Sequence, residues 1–359
     1  MNLAQRIVKA LAVGQKDNVT IYFYPHTLKL AEETAEECFR KGADVLLNLY
    51  TDEYYEAYLT HLNEESLRQP SDFCRSLAET STVEILLGGV YDPSFFRQIP
   101  TSKLAASAVG ESKAHLPPRR RRTIKQASVH LGAVTRPRAK VAGYNYGKWR
   151  RMVEQASLID PAILSKRGRK LSSILSDAKR VVIADQKGTN LKLNLKGRSP
   201  FMDDGIIDRT DLRQGFTDIE IPAGSVTVVP DEDSAEGRIV FGLPVLWRGR
   251  TIRRLEWTFR DGRVVDFRGD QGAMSLRQSW IEAAGDKDRI ASFTIGINPK
   301  AKLGFSLNPI SAGAVSIAIG GNQDLKGRNK SSFYFQGTIE RADLIADGQM
   351  LVKAGKINQ

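Results

Sequence analysis

Thr217-Asp218-Ile219-Glu220-Ile221-Pro222-Ala223-Gly224-Ser225-Val226-Thr227-Val228-Val229-Pro230-Asp231-Glu232-Asp233-Ser234-Ala235-Glu236-Gly237-Arg238-Ile239-Val240-Phe241 reads as strand, acidic turn, strand. Val226, Val228 and Pro230 alternate with Thr227 and Val229. Asp231, Glu232 and Asp233 break that run, and Ile239–Phe241 resume it. Period-two patterning with turn residues at its breaks is the mark of β-structure. The same pattern extends outward on both sides. Upstream, 180–184 and 191–195 are joined through Gln186-Lys187-Gly188-Thr189 as a hairpin. Downstream, short strands are expected at 252–260, 263–267, 312–319, 333–341 and 349–353, with Asp261-Gly262 as a two-residue hairpin turn. One helix at about 270–284 interrupts them.

Before residue 178 the period changes. Val19–Tyr24 is a β-branched and aromatic strand. Leu28, Ala31, Ala35 and Cys38 mark one face of a helix, Lys41-Gly42 ends it, and 43–50 returns as a buried strand. Strand–helix–strand implies parallel pairing with a right-handed crossover. Helices near 53–62 and 64–79, a strand at 82–87, a helix at 94–106 and a last strand at 128–134 continue the alternation. Helices follow at 149–158 and from Asp160-Pro161, whose Asp and Pro suit the N-cap and first turn. The expected fold is therefore an α/β domain with a mainly parallel sheet, residues 1–178, followed by a mainly β domain, residues 179–359.

The chain has 359 residues, 41% of them apolar, and a net charge of +12. That size suggests two domains. No apolar run reaches the ~18–20 residues that cross a bilayer, and the amphipathic start lacks a signal-peptide core. A cytoplasmic protein with no membrane partner is expected. Cys38 and Cys74, isolated on expected helices, read as packing residues. The positive excess raises nucleic acid or acidic surfaces as partners. It is partly local: residues 113–140 hold nine Lys or Arg and no acid. Arg119, Arg120, Arg121 and Arg122 follow Pro117-Pro118, with Lys125 close behind, and read as a flexible basic loop at about 113–126. No aromatic residue within it can stack on bases, which favours a solvated loop over a nucleic-acid site. Gly88-Gly89 is too short for a phosphate-binding fingerprint and reads as a turn.

Several phrases together resemble the thermophilic metalloaminopeptidases, the family of aminopeptidase T, aminopeptidase S and PepS. They are Gly188-Thr189-Asn190-Leu191 with Gly197-Arg198, Ile221-Pro222-Ala223-Gly224 through Pro230, Asp233-Ser234-Ala235-Glu236-Gly237, Ile295-Gly296-Ile297-Asn298-Pro299, Ile317-Ala318-Ile319-Gly320, and Asn329-Lys330-Ser331. The resemblance implies an aminopeptidase T-like fold, a closed homodimer, and two divalent metals in the C-terminal domain that activate water for attack on a peptide carbonyl.

Carried over position by position, the resemblance implies a different site here. The two ligand glutamates fall on Ser225 and Ser292, the first histidine on Ser316, and the later His-x-Asp pair on Tyr334 and Gln336. A tyrosine the family keeps falls on Gln323. Divalent cations need carboxylate, imidazole or thiolate donors, and these replacements supply little charge. The four histidines, His26, His61, His115 and His130, all precede residue 131, so the β-rich half has none. Asp231, Glu232, Asp233 and Glu236 miss the calcium-loop spacing and read as a solvated turn. Neither metal nor other cofactor is expected.

The reading is a metal-free homologue, inactive as a metallopeptidase, whose neutral pocket takes a small polar or peptide-like ligand or serves a scaffolding role. Three alternatives stand beside it. One is metal-independent catalysis in the same pocket, where a serine would need a base such as Lys300 or Lys302. Another is active leucyl-type aminopeptidase chemistry. The third is a nucleic-acid-associated protein acting through the basic loop.

Overall fold

The computed structural model describes residues 1–121, 123–247, 250–270 and 272–358, with the side chains at 116, 117, 119–121, 246 and 250 left aside. The chain divides into two units, Met1–Leu158 with Gly205–Pro222, and Ile159–Asp204 with Ala223–Gln359. The single boundary expected near 178 therefore moves to Leu158, and the first unit takes back a later segment. The reason is strand pairing, since Asp218–Ile221 completes the parallel sheet of the first unit.

That sheet consists of β1 (Asn18–Phe23), β2 (Asp44–Leu49), β3 (Val83–Leu86), β4 (Lys125–Val129) and β8 (Asp218–Ile221). Its order is β2-β1-β3-β4-β8, and all four pairs are parallel. Ile21, Ile85 and Ala127 lie fully buried at its centre. Helices α1 (Leu3–Ala10) and α2 (Leu28–Phe39) add Ile7, Leu11, Ala31 and Cys38 to this core. The strand at 44–49 was expected to be buried; instead Leu46, Leu47 and Leu49 are exposed because β2 is the sheet edge. Cys38 and Cys74 are both free.

The basic run departs most from expectation. After α3 (Asp52–His61), α4 (Glu64–Leu67) and α5 (Asp72–Thr80), α6 extends over Thr101–Arg121 and β4 begins at Lys125. Most of the expected loop at 113–126 is thus helix. Arg119–Arg121 are helical, while their side chains and the whole of Arg122 lie outside the described residues. Packing outweighs the propensity of Pro117-Pro118. A side chain at Gly110 would run into the Leu67 carbonyl, Ala114 is buried, and Lys113 donates to the Arg68 carbonyl at 3.0 Å. Two further helices, α7 (Arg136–Ala142) and α8 (Tyr146–Ser157), lead out of the unit, which regains α10 (Arg209–Gln214) before β8.

The second unit opens with α9 (Pro161–Asp177), capped by Asp160 as its sequence suggests. Its strands are β5 (Arg180–Ala184), β6 (Asn190–Asn194), β7 (Phe201–Asp203), β9 (Ser225–Val228), β10 (Glu236–Phe241), β11 (Val245–Trp247), β12 (Arg250–Ile252), β13 (Leu255–Arg260), β14 (Arg263–Arg268), β15 (Ile290–Gly296), β16 (Val315–Gly320), β17 (Tyr334–Ile339), β18 (Asp343–Ala346), β19 (Gln349–Lys353) and β20 (Lys356–Ile357). One helix, α11 (Ala273–Glu282), lies among them. They form an eight-stranded sheet, β14-β13-β10-β6-β5-β18-β19-β20, a five-stranded sheet, β17-β16-β15-β9-β7, and a β11-β12 ribbon. The 217–241 stretch therefore feeds three sheets: β8 ends the parallel one, β9 joins the five-stranded one, and β10 joins the eight-stranded one.

The core of this unit lies between its two larger sheets. Val226, Phe293, Ile317 and Phe335 on one share a cluster with Ile239, Phe241 and Trp257 on the other. The Trp257 ring stands edge-on to Phe241 at 4.7 Å and to Phe335 at 5.6 Å. The Asp261-Gly262 turn forms as expected, with φ of +49° and +74°, and joins β13 to β14.

Candidate functional site

Alternation along a strand sends neighbouring side chains to opposite faces. In the five-stranded sheet the apolar residues 226, 293, 295, 317 and 319 all turn to the core, so 225, 227, 292, 294 and 316 turn the other way. Register aligns these across strands. Thr294 pairs with Thr227 on one side and Ser316 on the other, and Ser316 pairs in turn with Thr338. Ser225 stands opposite Gly296, Gln336 opposite Ala318, and Tyr334 opposite Gly320. The five positions singled out from the sequence, Ser225, Ser292, Ser316, Tyr334 and Gln336, thus share one face of one sheet.

The face is a hydrogen-bonded row of neutral groups. Thr227 Oγ1 and Thr294 Oγ1 are 2.9 Å apart, and Gln336 Nε2 donates to the same Thr294 oxygen at 3.1 Å. Ser316 Oγ and Thr338 Oγ1 lie 2.7 Å apart. Ser292 and Ser316 are fully buried, while Ser225 and Gln336 are partly exposed. Ser292 Oγ makes no well-formed hydrogen bond, and the hydroxyl beside it is that of Tyr334. Tyr334 keeps 44% of its surface exposed. Burial pushes its pKa above the ordinary phenol value, and the neighbouring Ser292 hydroxyl pulls the other way.

The sequence reading did not single out Thr227, Thr294 and Thr338, although each lies two residues from a named position and shares its face. It also passed over Asp203, a buried residue of β7 in register with Ser225, because β7 has only three residues and little pattern. Gln323 is exposed on a short 3-10 turn. Lys300 and Lys302 are exposed as well, and no bond links either ammonium to the row among the described residues.

The recognisable phrases around the face turn out to be braces. Asn298, fully buried, donates through Nδ2 to the Ala223 carbonyl at 2.7 Å and accepts from the Lys300 amide at 2.9 Å. Gly224 has φ +134°, and a Cβ there would sit 2.5 Å from that of Asn298. Asn329 Nδ2 bridges the carbonyls of Ile290 and Gly320, and the Asn329 amide donates to Asn322. These bonds hold the ends of β9, β15 and β16 in place.

The acidic turn also departs from expectation. It was expected to be solvated, but Glu232 is fully buried and held by Arg198 in two bonds of 2.8 and 2.9 Å. The Arg328 amide adds a third at 2.9 Å. Burial would raise the Glu232 pKa, but the Arg198 bonds and backbone donors win and hold it down at about 2. Asp231 pairs with Lys196 at 2.7 Å, and Asp233 pairs with Arg289 and Arg328. These acids already have the protein's own cations as partners.

The donor set decides how well two divalent metals would fit. At the positions where the resemblance implies ligands stand hydroxyls, one amide and one phenol; with Asp203 beside Ser225 as the one carboxylate in register with them, they lack the charge that two such ions need. No group of three or more His, Cys, Asp or Glu side chains that could hold a metal occurs among the described residues. The residues present do not fit the metal pair that the resemblance implies.

The positively charged candidates belong to the first unit. Lys125 does not extend to solvent as a loop residue: Nζ reaches the Ala12 carbonyl at 3.2 Å and Asp17 at 3.3 Å.

A unit built on a parallel five-stranded sheet and a β-rich unit with a braced, polar-faced sheet make up the chain. Residues 1–285 match the family model for the thermophilic metalloproteases, M29, and the chain belongs to that family. Among solved structures, wild-type AmpT from Thermus thermophilus is similar at 17% identity and a TM-score of 0.75, covering 99% of this chain and 98% of its own. A 2,5-dihydroxypyridine dioxygenase from Pseudomonas putida KT2440 is similar at 13% identity and a TM-score of 0.62, covering 99% and 96%. At these identities the likeness concerns the fold. No curated protein matches the chain. No described helix is long and apolar enough to cross a membrane.

Proposed function

We propose that this chain is a family member without two-metal chemistry, and that its hydroxyl-lined face binds a small polar or peptide-like ligand. The observation that carries the reading is the row Thr227–Thr294–Gln336 with Ser316–Thr338 beside it: neutral hydrogen-bonding groups, buried except for Gln336, where the resemblance implies charged ligands. Such groups donate and accept equally well, which suits amides, hydroxyls and peptide ends. Ser225, Ser292, Ser316, Tyr334 and Gln336 are the contact residues in this proposal. A catalytic serine is not part of it: Ser316, the serine with a defined partner, is bonded to the Thr338 hydroxyl, which is no base. A homodimer and a cytoplasmic setting complete the reading.

The test combines metal analysis, turnover and binding. The purified chain is assayed for bound metal and for leucine p-nitroanilide hydrolysis with cobalt or zinc added, then titrated with a leucyl dipeptide. Expected are no stoichiometric metal, no chelator-sensitive turnover, and dipeptide binding that weakens when Gln336→Leu is introduced. Chelator-sensitive turnover at enzymatic rates would overturn the proposal in favour of leucyl-type aminopeptidase activity. Sedimentation velocity checks the dimer.

A further inference from the structure

The parallel sheet of the first unit has a topological switch point. β1 leads through α2 to an outer neighbour, β2, while β3 leads through α6 to β4 on the other side. The chains leaving β1 and β3 therefore part, and open α/β sheets bind ligands in the crevice that this leaves outside the strands' carboxyl ends. A cavity of about 380 Å³ lies there, within the usual range for small-molecule sites. It is walled by His26 and Lys29 after β1, Tyr91 after β3, Arg136 after β4, and Tyr146 and Arg150 at the start of α8.

The walls are held in place before any ligand arrives. Gly88 and Gly132 bring the loops after β3 and β4 into backbone contact, and a side chain on Gly88, at φ +88°, would collide with Gly132. His26 Nε2–H donates to the Gly132 carbonyl at 2.8 Å, which leaves Nδ1 as an acceptor. The Tyr91 ring stands edge-on to His26 at 5.2 Å, and the Thr135 hydroxyl donates to the Tyr91 carbonyl at 2.7 Å.

Charge sorts the possible ligands. The Arg136 guanidinium lies 4.8 Å from the centre of the Tyr146 ring, and no carboxylate pairs with it among the described residues. Arg150 is already engaged by Glu154 at 2.8 Å and by the Tyr146 hydroxyl at 3.1 Å. Lys29 and Glu33, 4.0 Å apart, offset one another. One uncommitted guanidinium beside aromatic and aliphatic walls favours a single anionic group on a flat body, and Glu33 works against a polyanion.

We propose that this cavity is a second ligand site, for a small ring-bearing organic anion with one carboxylate or phosphate group held by Arg136. It is independent of the hydroxyl face.

Calorimetric titration of the full chain tests it, with 4-hydroxybenzoate for the carboxylate, phenyl phosphate for the phosphate monoester, and benzyl alcohol as the neutral ring. At least one anion is expected to bind with a Kd at or below about 1 mM, at least about tenfold more tightly than benzyl alcohol. Arg136→Gln, a change at an exposed residue, is expected to weaken that anion about tenfold at an unchanged thermal midpoint. Ser316→Ala, in the other unit, is expected to leave it unaltered, so failure of the hydroxyl-face proposal reads out separately. The inference is overturned if neither anion binds, if benzyl alcohol binds as tightly, or if Arg136→Gln leaves the affinity unchanged.

Discussion

Within the second unit, the acidic turn and the hydroxyl face handle buried polarity in opposite ways. At the turn, Glu232 is fully buried and remains charged because Arg198 and the Arg328 amide surround its carboxylate. On the face, Thr294 and Ser316 are buried to a similar degree, but both are neutral: Thr294 is met by Thr227 and Gln336, and Ser316 by Thr338. A buried charge lasts only with a full set of partners, whereas hydroxyls can satisfy one another in pairs. Charge survives in this unit where the protein supplies the counter-ion itself. At the five positions where the resemblance implies metal ligands, every side chain is neutral.

The comparison can be broken most sharply at Arg198. Arg198→Met leaves Glu232 buried without its principal partner and should cost about 3–5 kcal/mol in urea unfolding; a loss below about 1 kcal/mol would mean the pair contributes no more than a surface bridge. The pH dependence follows from the same group. Its pKa falls from 4.5 to about 2 on folding, so the unfolded chain takes up the proton first as pH drops. Stability from this pair should be complete above about pH 5 and disappear toward pH 2, and in Glu232→Gln this part of the acid loss should be absent.

The neutral face should respond less. Thr294→Val removes the one oxygen that both Thr227 and Gln336 reach, leaving two groups short of a partner, and about 1–3 kcal/mol is expected. Ser316→Ala strands only Thr338, which can turn its hydroxyl to another acceptor, so about 1 kcal/mol or less is expected by the same urea measurement. If Ser316→Ala proved as costly as Arg198→Met, the contrast between charged and neutral burial would fail.

The shared face of β9 was legible because its signal is local. Ser225 and Thr227 alternate with Val226 and Val228, and that spacing alone places both hydroxyls on one face. The hairpin at Asp261-Gly262 was equally plain, because two consecutive positive φ angles suit few residue pairs. The acidic turn was misread because its partners, Arg198, Arg289 and Arg328, lie far from it in the chain. A run of three acids looks solvated until a fold gathers three arginines around it. The Arg119–Arg121 helix was misread for a related reason. Pro117-Pro118 is a strong local signal, but Gly110 lies against α4 and that packing carries the helix onward.

The sequence by itself determined which half is α/β and which is β, and which side chains can share a face. It also determined that the β-rich half contains no imidazole, since a residue count needs no geometry. Tertiary structure alone decided that the stretch from Thr217 to Phe241 serves three sheets. Strand pairing between distant segments follows from the packing of whole faces rather than from any pattern within a strand. It also decided that Glu232 is a buried, paired charge and that Arg136 stands at a switch-point cavity. Both depend on which distant groups come within a few ångströms, and that distance is where electrostatic and hydrogen-bond energies are set.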